Sequence, residues 1–194
     1  NTEDGRMPNV GVRDLVQRAD GLILLTCGPE GPVDSALRLG DPAAAERRLS
    51  SLQKAFGDRL YLEIQRTPDP AEHEAELIAL GDRLGVAPVA TNQVFFLKRE
   101  DHHAHDVLLC IAEGSYIAQE QRRTVSPERY LKTPDEMMAA FADLPDAIQN
   151  TVEIARRCAV AFKGAAPILP PYPDLADGET EAQALARQAE AGLE

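Results

Sequence analysis

Between Leu22 and Thr91 three short apolar runs alternate with two amphipathic stretches, and this alternation constrains the fold more than any other feature of the chain. Leu22-Ile23-Leu24-Leu25 is an uninterrupted apolar run of the kind that forms a strand covered on both faces. Asp41-Pro42 supplies an N-cap followed by proline at the first helical position; Leu49, Leu52 and Phe56 then mark one face of a helix that Gly57 ends. From Leu60 the period changes to two, so that Leu60, Leu62 and Ile64 face one way and Tyr61, Glu63 and Gln65 the other. Pro70 is expected to open a second helix with Leu77, Ile78, Gly81 and Leu84 on its buried side. Gly85 stops that helix, and Val86 to Thr91 reads as a third strand.

Strand, helix, strand, helix, strand with these connection lengths predicts a parallel, right-handed β/α arrangement. The working edge of such folds lies at the carboxyl ends of the strands. Here that edge is Thr26-Cys27-Gly28, Arg66-Thr67 and Asn92 to Phe95. The second half reads as helical. Asp101 is placed to cap a helix carrying Val107, Leu108, Ile111 and Ala112, and Thr133-Pro134-Asp135-Glu136 is a capping box. Met137, Phe141 and Leu144 line one helix; Ile148, Val152, Ala155 and Ala159 line the next, with Pro145 between them. Prolines at 167, 170, 171 and 173 predict an extended linker before an Ala/Glu/Gln-rich helix from about Glu179.

A chain of 194 residues, 44% of them hydrophobic, suits one ordinary domain with some extra length. Its net charge of −12 opposes independent tight binding to nucleic acid, which needs cations to displace counterions from phosphates. The basic pairs Lys98-Arg99, Arg122-Arg123 and Arg156-Arg157 are interspersed with carboxylates and read as solvated surface. Cys27, Cys110 and Cys158 are odd in number and lack a CxxC spacing, which suggests neither a disulfide framework nor a thiolate zinc site. With no apolar run of about 18 residues, the expectation is a chain of the reducing cytoplasm that has no membrane partner.

Four constellations invite chemistry. His102, His105 and Asp106 fall on one helical face, so two imidazoles and a carboxylate could hold zinc or manganese; yet they sit at a loop-to-helix junction with no fourth ligand, and capping and hydrogen bonding is the preferred reading. Cys27 follows a strand, where a nucleophile can be displayed, but a small residue filling a strand-end gap explains it better. Gly28-Pro29-Glu30-Gly31-Pro32 lacks the ending of a P-loop and reads as a tight turn. Glu63 and Gln65 read as hydrogen-bonding to neighbouring strands rather than as remnants of an interior polar network.

Several blocks also fall in a familiar order. TNQVFFLKREDHHAHDVLLCIAEG at 91–114, YLEIQR at 61–66, GLILLTCGPEGP at 21–32, FADLPDAIQNTVEIARRCAVAF at 141–162 and PILPPYP at 167–173 together resemble the PHP domain (polymerase and histidinol phosphatase domain) of the C-family bacterial replicative polymerases, the DNA polymerase III alpha subunits. The resemblance implies an α/β fold, the later part of a distorted seven-stranded β/α (TIM-like) barrel over 1–165. A linker and the start of the polymerase catalytic domain would then occupy 166–194. It also implies a fragment whose intact protein is a DNA-directed DNA polymerase, a nucleotidyltransferase with magnesium in its polymerase domain. Implied partners are the proofreading exonuclease subunit, other replicase subunits and DNA, reached through the intact polymerase.

Members with metal-dependent activity carry a His shortly after the EIQ strand and an Asn-Asp-x-His run after the next. This chain has Thr67 at the first place and Gln93 and Phe95 at the Asp and His places, groups that hold divalent ions poorly or not at all. The resemblance therefore implies a catalytically silent scaffold and partner-binding domain with no cofactor of its own and no catalytic residue. The alternative is a metal-dependent phosphoesterase or 3'-5' exonuclease with altered ligands. Three strands taken from a closed sheet would expose two edges, so self-association of the fragment is expected.

Overall fold

A computed structural model describes residues 10–66, 72–159, 164, 170 and 172–193. The chain divides into two compact units, Asn1–Cys158 and Ala159–Glu194. In the first, a short helix α1 (Val12–Gln17) leads to strand β1 (Leu24–Leu25), then helices α2 (Pro32–Arg38) and α3 (Pro42–Phe56). Strand β2 (Leu60–Gln65), helix α4 (Glu74–Leu84) and strand β3 (Ala87–Thr91) follow. Helices α5 (His102–Glu113), α6 (Pro134–Ala140) and α7 (Pro145–Arg157) complete the unit.

The three strands form one parallel sheet in the order β1-β2-β3, as the alternation predicts. Leu24 is level with Leu60, and Tyr61 to Gln65 run level with Ala87 to Thr91. Asp41 caps α3 by accepting a hydrogen bond from the Ala44 backbone at 2.8 Å, and Gly57 ends it at a φ of +56°. Leu49, Leu52 and Phe56 of α3, Leu60, Leu62 and Ile64 of β2, and Leu77 and Leu80 of α4 then share one buried core with Val33, Phe141 and Ala147. Complete burial of each large side chain contributes about 1.5–3 kcal/mol. Helix α7 lies along β3, where the Asn150 amide donates to the Pro88 carbonyl at 2.7 Å.

Several details depart from the sequence reading. The first strand is only two residues long, because a turn through Gly21 directs the Leu22 amide to the Ala19 carbonyl, and Leu22 is largely exposed. Asp101 does not cap α5; its carboxylate accepts from the Lys98 amide and closes the turn before the helix. Leu108 and Ile111 of α5 point to solvent, 63% and 72% exposed, while Asp106 and Cys110 are buried one turn apart. On α7 the deeply buried residue is Ala147; Val152 and Ala155 are exposed. Nor are the basic pairs simply solvated. Arg122 pairs with Asp106 at 2.5 Å, and Arg157 donates to the Asp58 carbonyl and the Tyr61 hydroxyl at 2.7 and 2.8 Å. Pro70 lies outside the described residues, as does much of the proline-rich stretch.

In the second unit, Thr180 and Gln183 form a capping box at the start of helix α8 (Glu181–Ala191), and Glu179 pairs with Arg187 at 2.9 Å. Tyr172 accepts a hydrogen bond from Gln188 at 2.6 Å.

The turn after β1 has the least steric freedom in the first unit. A Cβ on Gly31 would stand 1.8 Å from the Thr26 carbonyl oxygen, a backbone atom that cannot step aside. Gly40 has a positive φ of +74° but open space around it. Gly40→Ala should therefore cost about 1 kcal/mol and Gly31→Ala clearly more, about 2–4 kcal/mol, by chemical denaturation. Equal losses would mean that the turn opens freely.

Candidate functional site at the carboxyl ends of the strands

Thr26 stands at the end of β1, its amide donating to the Tyr61 carbonyl at 3.2 Å and its hydroxyl accepting from the Glu63 amide at 3.0 Å. Glu63 accepts from Gln65 of its own strand at 2.8 Å and from the Thr91 hydroxyl of β3 at 2.6 Å. The two polar residues of β2 thus knit neighbouring strands, as the sequence reading preferred. Cys27 is exposed and has a φ of +69°; burial of its thiol and the nearby Glu63 and Asp34 raise its pKa, the opposite of nucleophile activation.

Arg66 continues the inward row of Leu60, Leu62 and Ile64 by one more step of two. Its side chain is 5% exposed. It meets Glu74 at 2.5 Å, Asp143 at 2.6 and 2.9 Å, and the Ala140 carbonyl at 2.7 Å, with the Phe141 ring 4.7 Å from its guanidinium carbon. Donating to Asp143 and Glu74 raises the pKa of Arg66, and accepting from Arg66 lowers that of Asp143. This cation ties the end of β2 to the start of α4 and to the α6–α7 junction.

Beside it lies a second buried pair. Asp34 of α2 is 3% exposed, with one carboxylate oxygen 3.4 Å from His73 Nε2 and the other without a hydrogen-bond partner among the described residues. Burial pushes the Asp34 carboxyl up to about 6; His73 opposes that shift, and Glu63 adds to it.

The positions singled out in the sequence are placed as follows. Thr67 lies outside the described residues. Gln93 accepts a hydrogen bond from Arg129, and Phe95 packs its ring 5.4 Å from that of His105. His102 donates from Nε2 to the Val125 carbonyl at 2.8 Å, Asp106 is occupied by Arg122, and His105 also sits 5.5 Å from Phe96. His102 and Asp106 are thus engaged by different polar partners, while His105 packs against Phe95 and Phe96 with its Nδ1 buried and without a hydrogen-bond partner among the described residues. Among the described residues no three of His, Cys, Asp and Glu are grouped to hold a metal ion. Among the described residues the donors at the strand ends do not converge on one centre: Glu63 Oε1 accepts from Gln65 and Thr91, Glu74 from Arg66, and Gln93 from Arg129.

Sequence reasoning missed Arg66, Asp34 and His73 as a group. Two signals were present: a cation at the end of the inward row of β2, and a carboxylate among Val33, Ala36 and Leu37 on the apolar face of α2.

Residues 2–67 match the PHP domain family. A DNA polymerase III subunit alpha from Caulobacter vibrioides is 43% identical over 188 residues, 96% of this chain and 16% of the relative. The subunit alpha proteins of Pseudomonas fluorescens and Escherichia coli K12 are 45% and 36% identical over 87% and 93% of the chain. Along most of its length the chain is similar to DNA polymerase III alpha subunits, with the PHP-domain match in its first third. It spans 15% and 16% of the lengths of those last two relatives. No helix among the described residues is long and apolar enough to cross a membrane.

Two predictions follow from the buried charges. Arg66→Ala leaves Glu74 buried without its cation and should cost about 3–5 kcal/mol, whereas the Arg66→Met/Glu74→Met double variant should recover much of that loss. The exposed Asp143 contributes little by itself. Additive losses in the double variant would show that Arg66 acts through packing alone. The second concerns pH. The folded chain holds the Asp34 proton more tightly than the unfolded chain, whose Asp34 has its ordinary value of 3.8, so this group's contribution to stability falls as pH rises from about 4 to about 6. Asp34→Asn should be more stable than the parent at pH 7.5, by an amount on the order of 1 kcal/mol, and equal to it near pH 4. A variant less stable at pH 7.5 would mean that the ion pair with His73 outweighs the burial of the carboxylate.

Proposed function

We propose that this chain is a segment of a DNA polymerase III alpha subunit in which the PHP region acts as a catalytically silent scaffold and partner-binding domain. The observation that carries this reading is the occupation of the β2 carboxyl end by Arg66 and its two carboxylates, where a hydrolase needs ligands that converge on a metal ion. Identity of 36–45% with subunit alpha proteins over most of the chain supports assignment to that protein. On this reading the three parallel strands are the later strands of a distorted seven-stranded β/α barrel, and the second unit leads toward the polymerase catalytic domain.

The intact protein would be a DNA-directed DNA polymerase using magnesium in that other domain, acting in the cytoplasm. It would contact DNA, the proofreading exonuclease subunit and other replicase subunits. Among the described residues β1 and β3 of the three-strand sheet each pair on one side only, which supports self-association of the chain when it stands alone.

The test is direct. The purified chain, given primed template with dNTPs or a 3'-labelled strand, in magnesium and in manganese, should neither extend nor degrade it. Hydrolysis that survives repurification and disappears in Glu63→Gln or Asp34→Asn would instead establish a phosphoesterase or 3'-5' exonuclease with altered ligands.

A further inference from the structure

Helix α5 has its polarity inverted. The one charged residue between Ala104 and Ala112 is Asp106, which is buried with Cys110 and bound by Arg122. Ala104, Leu108, Ile111 and Ala112 lie on the opposite side and are exposed. A helix that borders water ordinarily turns its charges outward and its apolar row inward. Three more exposed apolar side chains flank the helix, Leu97 before it and Tyr116 and Ile117 after it.

Leu108 and Ile111 are 63% and 72% exposed, and Leu97, Tyr116 and Ile117 are 69%, 75% and 46% exposed. Together the five leave roughly 600 Å² in water, more than a soluble monomer usually exposes in one apolar patch. The segment that follows α5 is also held in shape. Arg122 grips Asp106, and the Val125 carbonyl accepts from His102, so the flanking residues are fixed relative to the helix before any partner arrives.

We propose that this face binds a second copy of the chain, through two α5 helices packed antiparallel about a two-fold axis. Three observations select that occupant. The apolar row reads nearly the same in both directions about the point between Val107 and Leu108: in antiparallel order Ala104 meets the other copy's Ile111, small against large, and Val107 meets Leu108. Such self-complementarity is what an isologous contact requires. Next, roughly 600 Å² from each copy gives about 1,200 Å² in all, the lower bound for a specific interface. Finally, α5 has no acid in its first turn and no base in its last, so an antiparallel neighbour supplies the opposite dipole that each end lacks.

The net charge of −12 opposes the pairing. No charged residue lies in the row, so salt screens that repulsion without weakening the contact. The surface differs from the sheet edges, and the pairing does not depend on the scaffold role proposed above.

Sedimentation equilibrium of the 194-residue chain at low and high salt measures the pairing. A monomer–dimer equilibrium that tightens as salt rises is expected. Leu108→Glu and Ile111→Glu should each weaken it at least about thirtyfold. Both positions are exposed, so circular dichroism should show an unchanged fold. In a Cys27→Ser/Cys158→Ser background, Leu108→Cys should cross-link two copies at least about tenfold faster than Leu39→Cys, whose site beyond α2 is also exposed. A chain that stays monomeric at concentrations on the order of 100 μM overturns the proposal. So does a dimer that loosens with salt, equal cross-linking by the two cysteine variants, or association that survives both glutamate substitutions, which would assign it to the sheet edges.

Discussion

The guanidinium of Arg66 is nearly withdrawn from water at the end of the central strand, and a cation in that position must be answered by anions or the strand cannot end there. Glu74 answers it from the first turn of α4 and Asp143 from the stretch joining α6 to α7. Two segments that are 77 residues apart in sequence from Arg66 to Asp143 are thereby fixed on one point. The Phe141 ring under the guanidinium seals the pair and continues into the core with Ala147. The positions of α4, α6 and α7 around β2 and β3 follow from this one cluster together with the aliphatic packing beneath it.

The same cluster determines what chemistry the strand ends can perform. Metal-assisted hydrolysis needs ligands that leave oxygen or nitrogen lone pairs aimed at a shared centre. In this chain the polar groups at the strand ends face each other instead: Glu63 toward Gln65 and Thr91, Thr26 toward the backbone of Glu63, and Gln93 toward Arg129. Each of these groups is held by another group of the protein rather than aimed at a shared centre. The Asp34–His73 pair differs in that one buried carboxylate oxygen has no hydrogen-bond partner among the described residues, and burial pushes the acid up to about 6. It joins α2 to the start of α4 rather than two strand ends.

Much of the architecture was legible because it depends on local rules. The caps at Asp41 and Thr133, the glycine stops at Gly57 and Gly85, and the change to period two at Leu60 each leave a signature within a few residues. What escaped the sequence depends on partners far away in the chain. Apolar residues of α5 looked like a core face, yet the buried row is Asp106 and Cys110, because Arg122 compensates the carboxylate and no other element covers Leu108 and Ile111 among the described residues. Arg66 read as the last residue of a strand motif, and nothing nearby announced that Asp143 would meet it. The resemblance to DNA polymerase III alpha subunits was carried by block order, which the comparisons support over most of the chain.

Diffraction from crystals of this chain grown with manganese, collected at an anomalous wavelength, would examine the strand ends directly. Arg66 should be found between Glu74 and Asp143, with no anomalous peak within bonding distance of Glu63, Asp34, His73 or Gln93. A well-occupied peak coordinated by Glu63, Asp34 or His73, with Arg66 turned away from Glu74, would contradict a strand end closed by ion pairing and restore a metal centre to this fold.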